Sequence, residues 1–352
     1  MPDGDSETVL RGVDADAKSD VDKDKSSYLR GVVMKLSVDA RSVLESAIKH
    51  NRISGEEARE IEDLIDVIPD DRKSLYKNVT SNPIGDLPRY SIHIRLQHLL
   101  TFTTFLLLAF TGLPIYYNEA FWAVPLNDLM GGVEVTRVIH RTLATVMIVS
   151  MVYHVATLLF GTLAKIKEGK FDIRRTIVPL FKDVKDFKDD MQYFAGRREQ
   201  RPEMDKFMYK QKIHYFAAAF GNMVMIVSGS SFLFPELWAS VLPSSVASHF
   251  QEVMRLSHPH EALLALLTIA FWHWYNVHLA PGRFPMQWTY LTGRITREHQ
   301  IEEHFLEYIR NLVEFPEERD VLRKTLEDKG LAISADQYVV TQEPAVAQET
   351  AS

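Results

Sequence analysis

The chain has 352 residues, of which 46% are hydrophobic and 25% charged, and its formal net charge is -7. It contains no cysteine, which excludes covalently attached haem, iron–sulfur ligation, disulfides and thiolate zinc sites. The acidic balance argues against nucleic-acid binding. The mean hydropathy of -0.12 is typical of a soluble protein, but this average hides four long apolar blocks separated by charged segments.

The N-terminal 88 residues contain no long apolar block. Residues 1–27 are rich in Asp, Ser and Lys, have no signal-peptide pattern, and are predicted to form a disordered acidic tail. Residues 28–88 have the pattern of short amphipathic helices, and Ser54 followed by Glu57 is typical of a capping box. We interpret this segment as a small cytoplasmic helical module that docks a partner. A solvated helical extension without a partner is an equal alternative.

The first two apolar blocks are predicted to span a membrane. The first follows His98 and reaches Tyr117, with Arg95 at its polar end. The second contains His140 and His154, which are 14 residues apart. In a helix, this spacing places both imidazoles on one face, about 21 Å apart along the axis.

The third and fourth apolar blocks complete the set. The third, residues 214–234, is rich in Gly, Ala and Ser, which allows close packing. The fourth contains His258 and His273, which also share a helix face at a separation of roughly 22 Å. His260 is the alternative to His258, but a helix would place it nearly opposite His273. We therefore favour His258, in a helix that begins at Ser257 as N-cap.

The charge of the loops predicts the orientation. The loop of residues 165–212 is dense in Lys and Arg, whereas residues 118–135 and 235–251 contain almost none. By the positive-inside rule, the long loop and both termini are cytoplasmic, and the protein is a multi-pass component of the cytoplasmic (inner) membrane. His140 and His258 then lie on the outer side.

Two segments outside the spans are predicted to be amphipathic helices. One covers residues 181–191, on the membrane surface or against a partner, and the other covers 301–310. The second helix belongs to a cytoplasmic tail, residues 294–352, whose remainder is predicted to be disordered. His299 and His304 in this tail are expected to be exposed and without a chemical role.

The histidines within the spans indicate the function class. An imidazole in hydrocarbon is unfavourable unless it is satisfied, and iron coordination satisfies it. Because two spanning helices each carry a same-face pair at matching depths, we favour non-covalent haem over a structural hydrogen-bond network. A zinc or di-metal site would need clustered carboxylates, and the spans contain almost none besides Glu261. The predicted fold is therefore an all-α, haem-binding, four-helix membrane bundle over residues 89–293, with short helical extensions at both ends.

Several motifs resemble those of the membrane cytochrome b subunits of formate dehydrogenase, hydrogenase and related respiratory oxidoreductases. They are Arg95-Leu-Gln-His98, Thr111-Gly-Leu-Pro, His140-Arg141, His258-Pro-His-Glu, Trp272-His273 and Phe284-Pro-Met. The resemblance covers residues 89–293 and implies two b haems, the outer one between the second and fourth helices and the inner one between the first and fourth. It places the outer haem between His140 and His258, and the inner haem between His98 and His273.

The same resemblance implies electron transfer between the quinone pool, through a menaquinone-like carrier, and a partner redox subunit that is an iron–sulfur or multihaem protein. Asn276 and His278, just past His273, are the expected carrier site. Arg95 and Arg141 are expected to pair with haem propionates, with helix-end anchoring as the alternative.

Some positions leave alternatives open. His154 makes the second helix similar to that of the cytochrome b of respiratory bc complexes, so His154 is an alternative to His98 as the partner of His273. A third haem that uses His154, His98 and His278 in some pairing is also left open. His93, at a helix start, is interpreted as interfacial.

His214, also at a helix start, is interpreted as interfacial too.

The sequence has no nucleotide, molybdenum or iron–sulfur ligand motif, which places substrate chemistry on another subunit. Two other functions are compatible with the pattern. One is a membrane anchor or transporter whose histidines relay protons without haem, and the other is a sensor that signals through the N-terminal module.

Overall fold

A computed structural model describes residues 36–69, 71–76, 86–280 and 283–331. The predicted N-terminal acidic tail lies outside the described residues, as does the end of the chain from residue 332. The chain divides into two compact units, a membrane unit of residues 84–296 and a terminal unit that combines residues 1–83 with 297–352. In chain order the helices are α1 (Val38–Lys49), α2 (Gly55–Asp66), α3 (Arg72–Tyr76), α4 (Ile92–Tyr116), α5 (Ala123–Leu129), α6 (Val133–Lys167), α7 (Phe181–Phe194), α8 (Tyr209–Leu233), α9 (Pro235–Val241), α10 (Ser244–Leu267), α11 (Thr289–Thr292), α12 (Arg297–Glu303), α13 (Phe305–Glu314) and α14 (Pro316–Asp328).

The terminal unit packs helices that precede the membrane unit and helices that follow it into one core. Helix α13 lies at its centre, against α1 and α2, and every residue from Phe305 to Val313 is buried. Helix α14 packs against α2 and α3 through the buried Leu322 and Leu326. The predicted capping box is confirmed, since the Glu57 amide donates to the Ser54 hydroxyl across 3.1 Å and the Ser54 amide donates to the Glu57 carboxylate across 2.9 Å.

The C-terminal segment differs from the prediction. One amphipathic helix followed by a disordered tail was expected over residues 294–352, but the described residues form three helices that end at Asp328. The expected exposure of His304 is wrong, because this residue is only 1% exposed at the N-terminus of the buried helix α13. His299 is half-buried and lies 3.4 Å from the Glu303 carboxylate.

The membrane unit has four helices that are long and apolar enough to cross a membrane. They are α4, α6, α8 and the segment Ser244–Leu279, which comprises α10 and a π-type continuation. Their outward surfaces expose large apolar side chains, whereas several of their buried residues are small and polar, including Thr104, Thr111, Ser150 and Ser228. Such a distribution suits a bundle surrounded by lipid, because the hydroxyls of Thr104, Thr111 and Ser228 donate to carbonyls of their own helices. The prediction of an all-α membrane bundle is confirmed.

Two pairings organise the bundle. Helix α4 packs along α6, and α8 packs along α10, while α4 also contacts α10. A two-residue antiparallel strand pair, β1 (Leu87–Pro88) with β2 (Arg294–Ile295), joins the entry of α4 to the segment that follows the fourth span. Gly293 precedes β2 with φ +76°, and a Cβ there would lie 2.7 Å from the Tyr90 carbonyl, so this closure requires glycine.

The start of α10 differs from the expected one. The helix begins at Ser244 rather than at Ser257, and Pro259 lies inside it. The residues from Ser244 to Leu256 mix polar and apolar side chains, so a search for apolar runs detects only the later part of the helix. From Thr268 onward, the backbone takes π-type hydrogen bonding through His273, a local irregularity often found at functional sites.

Candidate functional site

The outer histidine pair joins the second and fourth spanning helices. The ring centroids of His140 in α6 and His258 in α10 are 6.4 Å apart, with their planes at 73°. Two imidazoles bound to opposite faces of one iron, with Fe–N distances of about 2 Å, have centroids roughly 6 Å apart. The separation of this pair therefore matches that of two axial ligands of a single haem iron.

A hydroxyl on α4 orients the ring of His140. The Thr111 hydroxyl lies 2.8 Å from the Leu107 carbonyl, to which it donates, and 2.9 Å from Nδ1 of His140. Because the hydroxyl hydrogen is donated to the carbonyl, the hydroxyl oxygen accepts a hydrogen bond from the N–H group at Nδ1. His140 then holds its proton on Nδ1, and the Nε2 lone pair is free to bind a metal.

His258 is held in the same way from α8. The Ser228 hydroxyl donates to the Val224 carbonyl across 2.6 Å and lies 2.7 Å from Nδ1 of His258. This arrangement assigns the ring proton of His258 to Nδ1 and again leaves Nε2 as the free nitrogen. Both outer histidines therefore have the tautomer that axial ligation by Nε2 requires.

A glycine beside each hydroxyl leaves room for the ring. A Cβ at Gly112 would lie 2.8 Å from Cε1 of His140, which is closer than atoms can pack. A Cβ at Gly229 would lie 3.4 Å from Cε1 of His258, at the edge of ordinary contact. Thr-Gly on α4 and Ser-Gly on α8 therefore have matching positions, one beside each histidine of the outer pair.

The inner pair joins the first and fourth spanning helices. The ring centroids of His98 and His273 are 6.2 Å apart, with their planes at 36°. His98 also stacks on Tyr290 at 4.2 Å, and His214 stacks on His273 at 5.1 Å. The structure thus places a third histidine against the inner pair, which the interpretation of His214 as merely interfacial missed.

A spacing in α8 could have identified His214. It lies 14 residues before Ser228, the residue that supports His258, so both share one helix face at two depths. The same 14-residue spacing separates His140 from His154. The missed signal was therefore a regularity shared by two of the spanning helices.

His154 takes part in a different set of contacts. Its Nδ1 lies 3.0 Å from Oε1 of Gln97, and its Nε2 lies 3.0 Å from the Tyr215 hydroxyl. Gln97 donates through its amide nitrogen to Thr157 across 3.0 Å, which leaves its oxygen to accept from Nδ1. Both ring nitrogens of His154 are therefore occupied, in a network that links α4, α6 and α8.

The remaining candidate histidines point to backbone or side-chain partners. His260 is exposed, and its Nδ1 lies 2.7 Å from the Leu256 carbonyl. Nδ1 of His278 lies 3.0 Å from the Pro285 carbonyl. His93 is exposed, with Nδ1 2.9 Å from the Tyr153 hydroxyl. The structure places His258, and not His260, opposite His140.

The polar residues expected to bind cofactors occupy different positions. Asn276 donates to the Trp272 carbonyl across 2.7 Å, within its own helix. Arg95 is half-buried and donates to the Leu291 carbonyl, while its Nε is buried without a hydrogen-bond partner among the described residues. Arg141 is exposed, next to His140. The unsatisfied Nε of Arg95, one turn before His98, suits the carboxylate of a propionate.

The outer site offers one opposed pair of imidazoles, and the inner site offers another with His214 stacked on His273. Within the described ranges, no group of three or more His, Asp or Glu residues is arranged to hold a metal ion. A porphyrin supplies four nitrogens itself and requires only two axial ligands from protein. Paired imidazoles, a free Nε2 on each outer ring and an unsatisfied buried cation therefore suit haem.

Four spanning helices that carry opposed histidines, in a chain without cysteine, define a membrane b-type cytochrome. A family model described as prokaryotic cytochrome b561 matches residues 89–283, and the chain belongs to that family. The family includes membrane cytochrome b subunits of hydrogenase and respiratory oxidoreductases. Members of this family bind haem b. The chain is therefore a multi-pass membrane b-type cytochrome that takes part in electron transfer. A comparison with curated proteins found no match.

Proposed function

We propose that the chain binds two b haems at two depths of the membrane. The outer haem is held by His140 and His258, and the inner haem by His98 and His273. The hydroxyl contacts of the outer rings carry this proposal, because they leave Nε2 of both histidines unprotonated and free. His258 and His273 lie 15 residues apart in the fourth span, which places the two levels roughly 22 Å apart along the bundle.

The chain's own residues orient and satisfy the cofactor. When bound, haem b supplies a one-electron carrier at each level. The Thr111 and Ser228 hydroxyls fix the tautomer and the ring direction of the outer ligands. Arg95 provides a cation for an inner propionate, and Arg141 is the corresponding cation near the outer pair. His154, with both nitrogens engaged, supports the packing of three helices instead of binding iron.

A quinone-type carrier, menaquinone-like, is the proposed redox partner within the membrane. The inner pair is the expected place of exchange, since Asn276 and His278 follow His273 by less than two turns. Their side chains form hydrogen bonds with backbone carbonyls. On binding of the carrier, each side chain would instead form a hydrogen bond with a carbonyl or hydroxyl group of the carrier. His214 adds a further polar ring beside His273.

The second redox partner is a separate subunit with iron–sulfur clusters or several haems. The chain has no cysteine with which to bind such clusters. With four spans among the described residues, the segments before the first span and after the fourth are expected on the same side of the membrane as residues 165–212. The Lys and Arg content of that loop supports a cytoplasmic location for this side.

Visible spectroscopy of the purified full chain tests the proposal. A reduced-minus-oxidised spectrum with b-type α-band absorption, together with about two haems per chain by pyridine haemochrome, is the expected result. His140→Ala and His273→Ala are each expected to remove one haem. A chain from haem-replete cells that contains none would contradict the proposal and favour a membrane anchor or transporter. Three haems per chain would bring His154 back as a ligand.

A further inference from the structure

Helix α7 exposes an apolar surface in the loop between the second and third spans. Five large side chains recur on one sector of the helix, and all of them are exposed: Phe181, Val184, Phe187, Met191 and Phe194. Helices of this kind, with apolar residues on one sector and lysines beside it, commonly lie in the membrane interface.

The acidic sector of α7 holds the helix at the start of the third span. Asp190 accepts from the Tyr209 hydroxyl across 2.8 Å and lies 3.1 Å from the Lys210 ammonium. Asp183 accepts from the Lys212 ammonium across 3.0 Å. Since Tyr209, Lys210 and Lys212 belong to the first turn of α8, helix α7 lies at the level where a spanning helix begins.

A groove of about 420 Å³ opens on the exposed side of α7. Its apolar lining comes from Phe187, Met191 and Ala195, and its polar lining includes Lys188 and Arg197. The chain reaches Arg197 through Gly196, at φ +69°, and the Arg197 amide donates back to the Gln192 carbonyl across 2.8 Å. This turn returns Arg197 to the helix end, so that it lines the same groove as Lys188.

These two cations differ from their neighbours in pairing. Arg198 lies 2.5 Å from the Asp189 carboxylate, and Arg201 lies 2.9 Å from that of Asp190. Lys188 and Arg197 have no carboxylate partner among the described residues. The groove therefore combines an apolar surface with two positive charges that are not neutralised.

We propose that this groove binds one anionic phospholipid. The headgroup phosphate lies between Lys188 and Arg197, and an acyl chain covers Phe187 and Met191. Two unpaired cations select a negative headgroup, and the position of α7 at the end of a span places the groove in the headgroup region. The site is separate from the histidine pairs and does not depend on the proposed electron transfer.

Native mass spectrometry of the full haem-loaded chain in neutral detergent tests the site. Phosphatidylglycerol is the probe, phosphatidylcholine is the neutral comparison, and inorganic phosphate is the competitor. We expect one saturable phosphatidylglycerol site that phosphatidylcholine does not fill. Lys188→Gln with Arg197→Gln should weaken binding roughly 10- to 30-fold, as expected for two cations near the surface.

A matched variant controls for net charge. Lys167→Gln with Lys185→Gln removes the same two charges from exposed positions that do not line the groove, and its affinity should stay within about 2-fold of the original. Unchanged haem content in both variants verifies folding. Equal weakening in the two variants, or equal binding of both lipids, overturns the proposal and assigns the face to a protein partner. Displacement by inorganic phosphate would overturn it in favour of a free anion.

Discussion

The Thr111 hydroxyl lies 2.9 Å from Nδ1 of His140 and donates a hydrogen bond to the Leu107 carbonyl. Ser228 has the same relationship to His258 on the other side of the bundle. Each outer histidine is therefore oriented by a helix other than its own. Because a hydrogen-bond acceptor at Nδ1 fixes the tautomer of a metal-binding imidazole, the occupancy of the outer site is expected to depend on two residues that do not contact iron.

Replacing Thr111 with valine removes the acceptor and keeps the shape of the side chain. The Nδ1 proton of His140 then has no partner, and we expect the affinity for the outer haem to fall about 10- to 100-fold. The measurement is the haem-to-protein ratio during titration of the apo-protein, with the potential of each haem by redox titration. The inner haem should be unaffected.

Thr103→Val is the matched control for this substitution. Thr103 lies on the same helix and its hydroxyl also donates to a backbone carbonyl, that of Leu99, but it is exposed. Equal haem loss in both variants would mean that the hydroxyl contributes to helix stability and does not orient His140.

Three glycine substitutions form a graded series. Gly112→Ala should displace the His140 ring and remove the outer haem, because the new methyl group would lie 2.8 Å from Cε1. Gly229→Ala should have a milder effect at 3.4 Å from His258, and Gly161→Ala none, because nothing lies within 4 Å of its Cβ. Haem content of the purified variants gives the order. Retention of two haems by Gly112→Ala would show that the ring can move aside.

The spanning helices and the candidate histidines were accessible from the sequence for simple reasons, whereas the pairing of His140 with His258 and of His98 with His273 was implied only by the resemblance to cytochrome b subunits. Apolar runs in a chain without cysteine indicate spans, and a 14- or 15-residue spacing places two histidines on one helix face. The choice of His258 over His260 follows from the same rule. These patterns lie within single helices, so they need no knowledge of how the helices pack.

Features that depend on helix rotation or on distant packing were not accessible. The roles of Thr111 and Ser228 require that each face a particular ring on another helix. His154 lies 14 residues after His140, a spacing expected of a second haem ligand, yet its ring nitrogens contact Gln97 and Tyr215. The terminal unit was missed because nothing in the local pattern of either end shows that Leu44 and Leu312 share one core.

Replacing His154 with alanine separates a ligand role from a structural one. Both ring nitrogens are engaged, by Gln97 and Tyr215, so His154→Ala should retain two haems with unchanged spectra. The free energy of unfolding of the variant should fall by about 1 to 3 kcal/mol, because Gln97 and Tyr215 lose their hydrogen-bond partner. His98→Ala is the comparison and should lose the inner haem. Loss of one haem from His154→Ala would instead identify this residue as an axial ligand.

Alkaline pH should destabilise the terminal unit through Tyr76 and Tyr308. Their hydroxyls lie 2.7 Å apart. Burial raises the pKa of Tyr76 from 10 to about 12, and burial raises the pKa of Tyr308 as well. The folded unit holds these protons more tightly than the unfolded chain, so their contribution to stability is complete below pH 10 and is lost as the pH rises toward 12.

The measurement is the urea midpoint of the terminal unit in the detergent-solubilised full chain, followed by circular dichroism at increasing pH. The original chain should show a falling midpoint above pH 10, the unperturbed value for tyrosine. Tyr76→Phe with Tyr308→Phe should start lower, by about 1 kcal/mol for the lost hydrogen bond, but should fall less steeply because neither ring ionises. Tyr193→Phe, an exposed residue of the membrane unit, should reproduce the original slope. An identical alkaline fall in the double variant would show that other groups cause it.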